Sequence, residues 1–247
     1  MTTKRPALAA PVAALSWPPP LDWPQHLRTA GALRIRDVPL HPENQALRAL
    51  AAELGPVSTR GLSHRAGLVE SGAVQRVEAL PGPVLDQYAK SLRSAGSDAF
   101  ALHSDESFCL RPARWVLLHC WQPAERDGDT LLLAVEEILE QATREVRIAL
   151  EQLRLPYPCG DRVTIETSGV LRFNAEEIES AALRRGVPLS LPQRAWLARF
   201  EQRFARQASR LRLNAGDLLI IDNWRMLHGR TAFDASSGRL LKRLRVL

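Results

Sequence analysis

Three side chains in this sequence have the types and the setting to hold a metal ion. His103 and Asp105 lie one residue apart in Ala101-Leu-His-Ser-Asp-Glu-Ser-Phe108, and His228 follows the apolar run Leu218 to Ile221. The first stretch is composed as a strand, on which residues i and i+2 share a face, so one imidazole and one carboxylate would point the same way. Two neutral nitrogens and one hard carboxylate oxygen suit iron(II) and leave coordination positions open for other ligands. A His-x-Asp triplet alone carries little weight, because a lone strand histidine is commonly a hydrogen-bonded structural residue. The force of the pattern lies in what accompanies it.

At 247 residues, with 45% hydrophobic and 24% charged residues, the chain has the composition of a globular protein with a substantial core. It contains no run of about 18 apolar residues, so no membrane-spanning helix is expected. Lys4 and Arg5 lead an Ala-rich stretch, but Pro6 and Pro11 interrupt it, and it reads as a leader rather than a secretory signal. With Pro18-Pro19-Pro20, residues 1–30 are read as a loose N-terminal arm, and residues 31–247 as one domain. The net charge of +6 comes from arginines dispersed among acids, and only Arg239 to Arg245 is densely basic, so a nucleic-acid partner is not indicated. Cys109, Cys120 and Cys159 are too few and too irregular for a disulfide framework or a zinc knuckle, which fits a reducing, cytoplasmic setting.

The elements that must position the three residues follow from periodicity. Ala32 to Val38 alternates as a half-buried strand, and Leu47, Leu50 and Leu54 mark a helix that Gly55-Pro56 ends. Gly61 to Gly82 reads as a long loop, a candidate lid or substrate-facing segment, and Leu85, Tyr88, Ala89 and Leu92 as a short helix. Trp115 to Trp121 is a buried central strand with His119 as a core histidine, and Thr130 to Leu133 enters the next strand. Val135 to Leu153 has the stripe of one amphipathic helix. Arg162 to Thr167 and Val170 to Phe173 flank Ser168-Gly169 as a hairpin, and Leu211 to Leu213 and Leu218 to Ile221 bracket Asn214 to Asp217 as another. Asn174 with Glu177, and Ser190 with Gln193, are capping pairs for two further helices.

Taken together, these features resemble the taurine dioxygenase-like (TauD/TfdA) family of iron(II)- and 2-oxoglutarate-dependent oxygenases. The likeness rests on four linked features: His103-Ser-Asp105 with Phe108 after it, Asp127-Gly-Asp-Thr130, Gly216 to Asp222 leading to His228-Gly-Arg230, and the arginine pair Arg239 and Arg243. Thr130 follows Asp105 by 25 residues and Arg239 follows His228 by 11, and the likeness runs from about Gly31 to the C-terminus. It implies a mainly β fold with surrounding helices, the double-stranded β-helix (jelly roll, cupin-like). It also implies iron(II) on His103, Asp105 and His228, with 2-oxoglutarate and oxygen as cosubstrates. Arg239 would grip the far carboxylate of 2-oxoglutarate through two parallel bonds, with the Thr130 hydroxyl as a further donor.

The implied reaction is hydroxylation of a small molecule, or the related desaturation or cyclisation. In the sulfonate-acting branch the residue matching Arg243 helps hold the substrate anion. Arg172 and Glu106 are candidates to pair with a carboxylate and an ammonium, which would suit an amino acid or a molecule derived from one. Asp105, being neither Ala nor Gly, argues against a halogenase that vacates this ligand for chloride. Two departures stand out. Asp127 occupies a position where relatives often have glycine, although aspartate tolerates left-handed backbone. The interval of 123 residues from Asp105 to His228 is shorter than in many relatives, so a taurine-like substrate does not carry over. Two alternatives stay open at this level: an oxygenase acting on a protein or RNA, and a non-catalytic metal-binding jelly-roll protein. Relatives are commonly oligomeric, but no stretch identifies an interface.

Overall fold

The structure, a computed structural model, describes residues 12–62, 68–80, 82 and 95–247. Its two principal sheets are built from strands whose two faces are both covered. The larger holds β1 (Ala13–Ser16), β2 (Ala32–Arg36), β3 (Gln75–Glu78), β5 (Trp115–Gln122), β10 (Leu218–Asp222) and β12 (Leu240–Val246). Their order is β1-β2-β10-β5-β12-β3, and every pairing but β1 with β2 is antiparallel. The smaller sheet runs β4 (Phe100–His103), β11 (Met226–Arg230), β6 (Thr130–Ala134) and β9 (Ser209–Leu211), all antiparallel. A separate two-stranded hairpin joins β7 (Leu155–Tyr157) to β8 (Gly160–Arg162).

The period-2 alternation of the apolar strands sorts their side chains between layers. Leu219 and Ile221 of β10, with Val116, Leu118 and Cys120 of β5 and Leu241 of β12, meet Leu132 and Met226 of the smaller sheet in one buried cluster. Their neighbours Leu218, Ile220, Leu117, Leu244 and Val246 face outward and pack under α1 (Trp23–Ala30) and α2 (Gln45–Leu54). The outer face of the smaller sheet, with Leu102, Leu133 and Leu227, is covered by α3 (Val135–Gln141), α4 (Arg144–Gln152), α5 (Ala175–Arg185) and α6 (Leu191–Phe204). A continuous apolar run in the sequence is thus a strand with core on both sides.

Several expectations change. From Ala13 onward the arm is not loose. Here β1 adds to the sheet edge, and Trp23 and Leu27 bury the apolar side of α1, whose Trp23 indole donates to Glu53 at 2.9 Å. Within the expected long loop, Gln75–Glu78 form an edge strand on β12, hidden in the sequence because Val77 is its one apolar residue. The helix expected at Leu85 to Leu92 lies outside the described residues. The stripe from Val135 to Leu153 breaks into α3 and α4, because Thr143 turns out to cap α4 and accepts from the Val146 N–H. The strands around Asn214 to Asp217 do not pair with each other: β9 joins the smaller sheet and β10 the larger. The hairpin around Ser168-Gly169 is reduced to a bridge between Ile165 and Leu171. Ser190 and Gln193 form the reciprocal pair as read, and Asn174 caps its helix by accepting from the Glu177 N–H.

The basic run at the C-terminus also changes meaning. Arg239, Lys242, Arg243 and Arg245 are all buried, because β12 lies inside the sheet between β5 and β3. The one dense basic run of the sequence is internal.

Two features of this frame have measurable consequences. A Cβ placed on Gly229 would lie 2.7 Å from the Phe100 carbonyl oxygen and 3.2 Å from backbone atoms of Ala101 and Leu102, so β4 and β11 close only around glycine. Gly229→Ala is expected to destabilise the fold by about 1–3 kcal/mol, read as a lower urea midpoint with an unchanged slope. The second feature is His119, which burial pushes down to about 4; the Val38 carbonyl facing its Nε2 and the nearby Asp217 oppose that shift, and Lys242 adds to it. Between that value and about 6.5 the unfolded chain binds more protons than the folded one, so stability falls as pH is lowered through this window. Urea unfolding from pH 7 to pH 4 should show this loss, and a shallower one in His119→Gln; parallel curves would contradict it.

Candidate metal centre

His103 and His228 are direct cross-strand partners in the pairing of β4 with β11, and their ring centroids are 4.3 Å apart. The register slips between His228 and Arg230, at Gly229, which packs directly against the β4 backbone. Asp105 is not on the strand: β4 ends at His103, and the carboxylate projects from the turn that follows. Hydrogen bonds hold that turn in place of a sheet ladder. The Ser104 N–H donates to the Phe173 carbonyl at 2.7 Å, and the Asp105 N–H to Asn223 Oδ1 at 2.7 Å. The Asn223 amide nitrogen donates in return to the carbonyls of Asp105 and Ala113, at 3.0 and 2.8 Å.

The donor atoms of His103, Asp105 and His228 all lie within 4.8 Å of one another, and all three residues are buried. Asp105 Oδ1 is 3.6 Å from His103 Nε2 and 3.8 Å from His228 Nε2. His103 Nδ1 sits 2.9 Å from the Ala101 carbonyl, which assigns the proton to Nδ1 and leaves the Nε2 lone pair facing the centre. Burial, above all, pushes His228 down to about 3, so its ring is neutral. Burial would raise the Asp105 carboxyl, but the Arg243 guanidinium holds it well below the usual carboxylate range. A buried anion flanked by imidazole lone pairs fits iron(II).

A second polar region forms around Arg239. Its guanidinium is buried, and its Nη1 has no hydrogen-bond partner among the described residues. Burial, followed by Arg230, lowers it to about 10. Arg230 and Arg239 both stack on Phe233, at 4.7 and 5.2 Å from the ring centroid, and Arg230 Nη2 donates to the carbonyls of Gly96 and Asp98 at 2.7 Å. The turn before Thr130 packs here. Gly128, at φ 67°, leaves room for Arg239, whose Cδ and Nε would stand 3.2 Å from a Cβ at that position. Asp127 adopts the left-handed backbone, φ 54°, and Arg212 donates to the carbonyls of Asp127 and Ala124. Thr130 is buried at the start of β6, directly opposite Arg230. A buried donor lacking a partner beside a second guanidinium is a place for an anionic ligand.

The three substrate candidates fare differently from expectation. Arg172 is fully buried and spends its donors on the fold: Nη1 on the carbonyls of Ser107 and Cys109, Nη2 on that of Leu110, and Nε on Glu166. It clips down the turn that carries Asp105. Glu106 is likewise enclosed, accepting from the Ser58 hydroxyl at 2.6 Å and the Ala113 N–H at 2.9 Å, with Arg245 3.3 Å away. Arg243 contacts the metal carboxylate itself, with Nη1 2.9 Å from Asp105 Oδ2 and 3.2 Å from Oδ1. The sequence reading passed over Asn223, whose position as an amide ending an apolar strand was the available signal. It also passed over Gln75, which the composition of its stretch concealed.

The family model described as "Taurine catabolism dioxygenase TauD, TfdA family" matches residues 21–245. Solved structures share the fold at low identity. Asparagine oxygenase in complex with Fe(II), a 3-hydroxyasparagine and succinate is 19% identical, over 90% of this chain and 77% of that one, with a TM-score of 0.59. A mutant of the non-heme iron oxygenase OrfP in complex with (3S)-hydroxy-L-Arg is 17% identical, over 92% and 80%, with a TM-score of 0.64. PvcB from Pseudomonas aeruginosa is 19% identical, over 92% and 80%, with a TM-score of 0.57. Among curated proteins, none matches the chain in sequence. With the match spanning nearly its whole length and the His103, Asp105 and His228 centre assembled, the chain belongs to the TauD, TfdA family.

Proposed function

We propose that this protein is an iron(II)- and 2-oxoglutarate-dependent dioxygenase that hydroxylates a small molecule, an amino acid or one derived from it. The observation that carries the reading is the convergence of His103, Asp105 and His228, from segments 123 residues apart, on one buried centre. His103 Nε2, Asp105 and His228 Nε2 hold the metal. Arg239 grips the far carboxylate of 2-oxoglutarate, its unpartnered Nη1 being one of the donors, and the Thr130 hydroxyl adds another. When bound, iron(II) with 2-oxoglutarate and oxygen supplies the oxidising power for an unactivated C–H bond, as the cosubstrate is decarboxylated to succinate.

The two facing sheets are read as a double-stranded β-helix, and the oxygenase unit takes in β1 and α1, so it runs from Ala13 to the C-terminus. The substrate class rests on the relatives: the asparagine oxygenase structure holds a hydroxyasparagine and the OrfP structure a hydroxyarginine. It no longer rests on Arg172 or Glu106, whose polar atoms serve the fold.

The test is oxygen-dependent conversion of 2-oxoglutarate to succinate by the iron-loaded protein, screened across the L-amino acids for stimulation. Arg239→Gln is expected to raise the KM for 2-oxoglutarate by about 10- to 100-fold, the worth of a charge-assisted bond pair. Iron binding with no oxygen-dependent loss of 2-oxoglutarate would instead favour a non-catalytic metal-binding protein.

A further inference from the structure

Arg243 and Gln75 form a unit whose geometry bears on how Asp105 meets a metal. They are direct cross-strand partners in the pairing of β12 with β3, and Gln75 is also bridged on its other side to Val69, so its backbone is fixed from both sides. Gln75 is 1% exposed. Its Oε1 accepts from Arg243 Nε at 3.1 Å and from Nη2 at 2.6 Å, which sets the plane of the guanidinium. The remaining nitrogen, Nη1, lies against the carboxylate and is closer to Oδ2, at 2.9 Å, than to Oδ1, at 3.2 Å. Oδ1 is the oxygen that stands 3.6 and 3.8 Å from the two histidine Nε2 atoms.

We propose that Gln75 and Arg243 are positioning residues: Nη1 donates to both carboxylate oxygens but holds Asp105 chiefly through Oδ2, and so turns Oδ1 toward the metal. A carboxylate with both oxygens free can chelate and occupy two coordination positions; one with an oxygen held by a guanidinium supplies a single donor. The distinction matters because the set of two histidines and one carboxylate is useful only if its remaining positions stay open. Arg243 therefore acts on Asp105 before any substrate is present, unlike an arginine whose task is to hold a substrate anion.

The inference rests on the centre being a metal site, and the experiment separates the two. Cobalt(II) serves as an oxygen-stable probe, and the visible absorption of the loaded, substrate-free protein reports its coordination. Wild type is expected to bind cobalt(II) and His228→Ala to lose it; no binding by wild type would overturn the metal site and the inference together. Given binding, Gln75→Leu and Arg243→Gln are expected to change the cobalt spectrum in the absence of substrate and to weaken 2-oxoglutarate binding to the loaded protein about 10-fold. Gln75→Glu keeps an acceptor for the guanidinium and is expected to restore the wild-type spectrum. A wild-type spectrum in Gln75→Leu overturns the proposal, as does equal disturbance in Gln75→Leu and Gln75→Glu, which would mark a packing effect only.

Discussion

The centre depends on keeping the Asp105 carboxylate ionised away from water. An unpaired buried charge costs several kcal/mol, so the fold must bring a cation to it. That cation comes from β12, where alternate residues share a face: Arg243 reaches Asp105 and, two residues on, Arg245 reaches Glu106. Lys242, just before them, points to the other face and pairs with Glu70. A strand of unusual charge density therefore lies inside the larger sheet, each cation matched to an acid from another segment. Buried pairs of this kind add little net stability, and their use is to fix orientation.

The same economy of backbone and side chain shapes the rest of the centre. The two histidines meet because Gly229 lets β4 close onto β11, and Asp105 reaches them because Asn223 and Arg172 hold its turn. None of these three residues binds a ligand in this reading, yet each bears on where a ligand atom sits. At the other region, Gly128 gives Arg239 its space and Arg212 closes the turn. Helices on both outer faces make the frame rigid, so the precision of the centre derives from packing remote from it.

Much of this was legible in the sequence, and the gaps have physical causes. His103, Asp105 and His228 were marked by residue type and spacing, Thr130 and Arg239 only by the family likeness, and β2, β5, β6 and β10 by runs of apolar residues. Asp105 was placed on a strand because spacing alone cannot tell where a ladder ends; the hydrogen bonds that stop it come from Phe173 and Asn223, far along the chain. Arg172 and Glu106 looked available because charge suggests solvent, whereas burial with a partner is a tertiary fact. Short polar strands such as β3 escape periodicity altogether, and with β3 went Gln75.

The most direct measurement of the central claim is diffraction from crystals grown anaerobically with iron(II) and 2-oxoglutarate, with anomalous data at the iron edge. One anomalous peak is expected, bonded to His103 Nε2, His228 Nε2 and Asp105 Oδ1, with Oδ2 still on Arg243 and the far carboxylate of 2-oxoglutarate on Arg239. A peak bound by any other residues, or none in iron-loaded crystals, would contradict it.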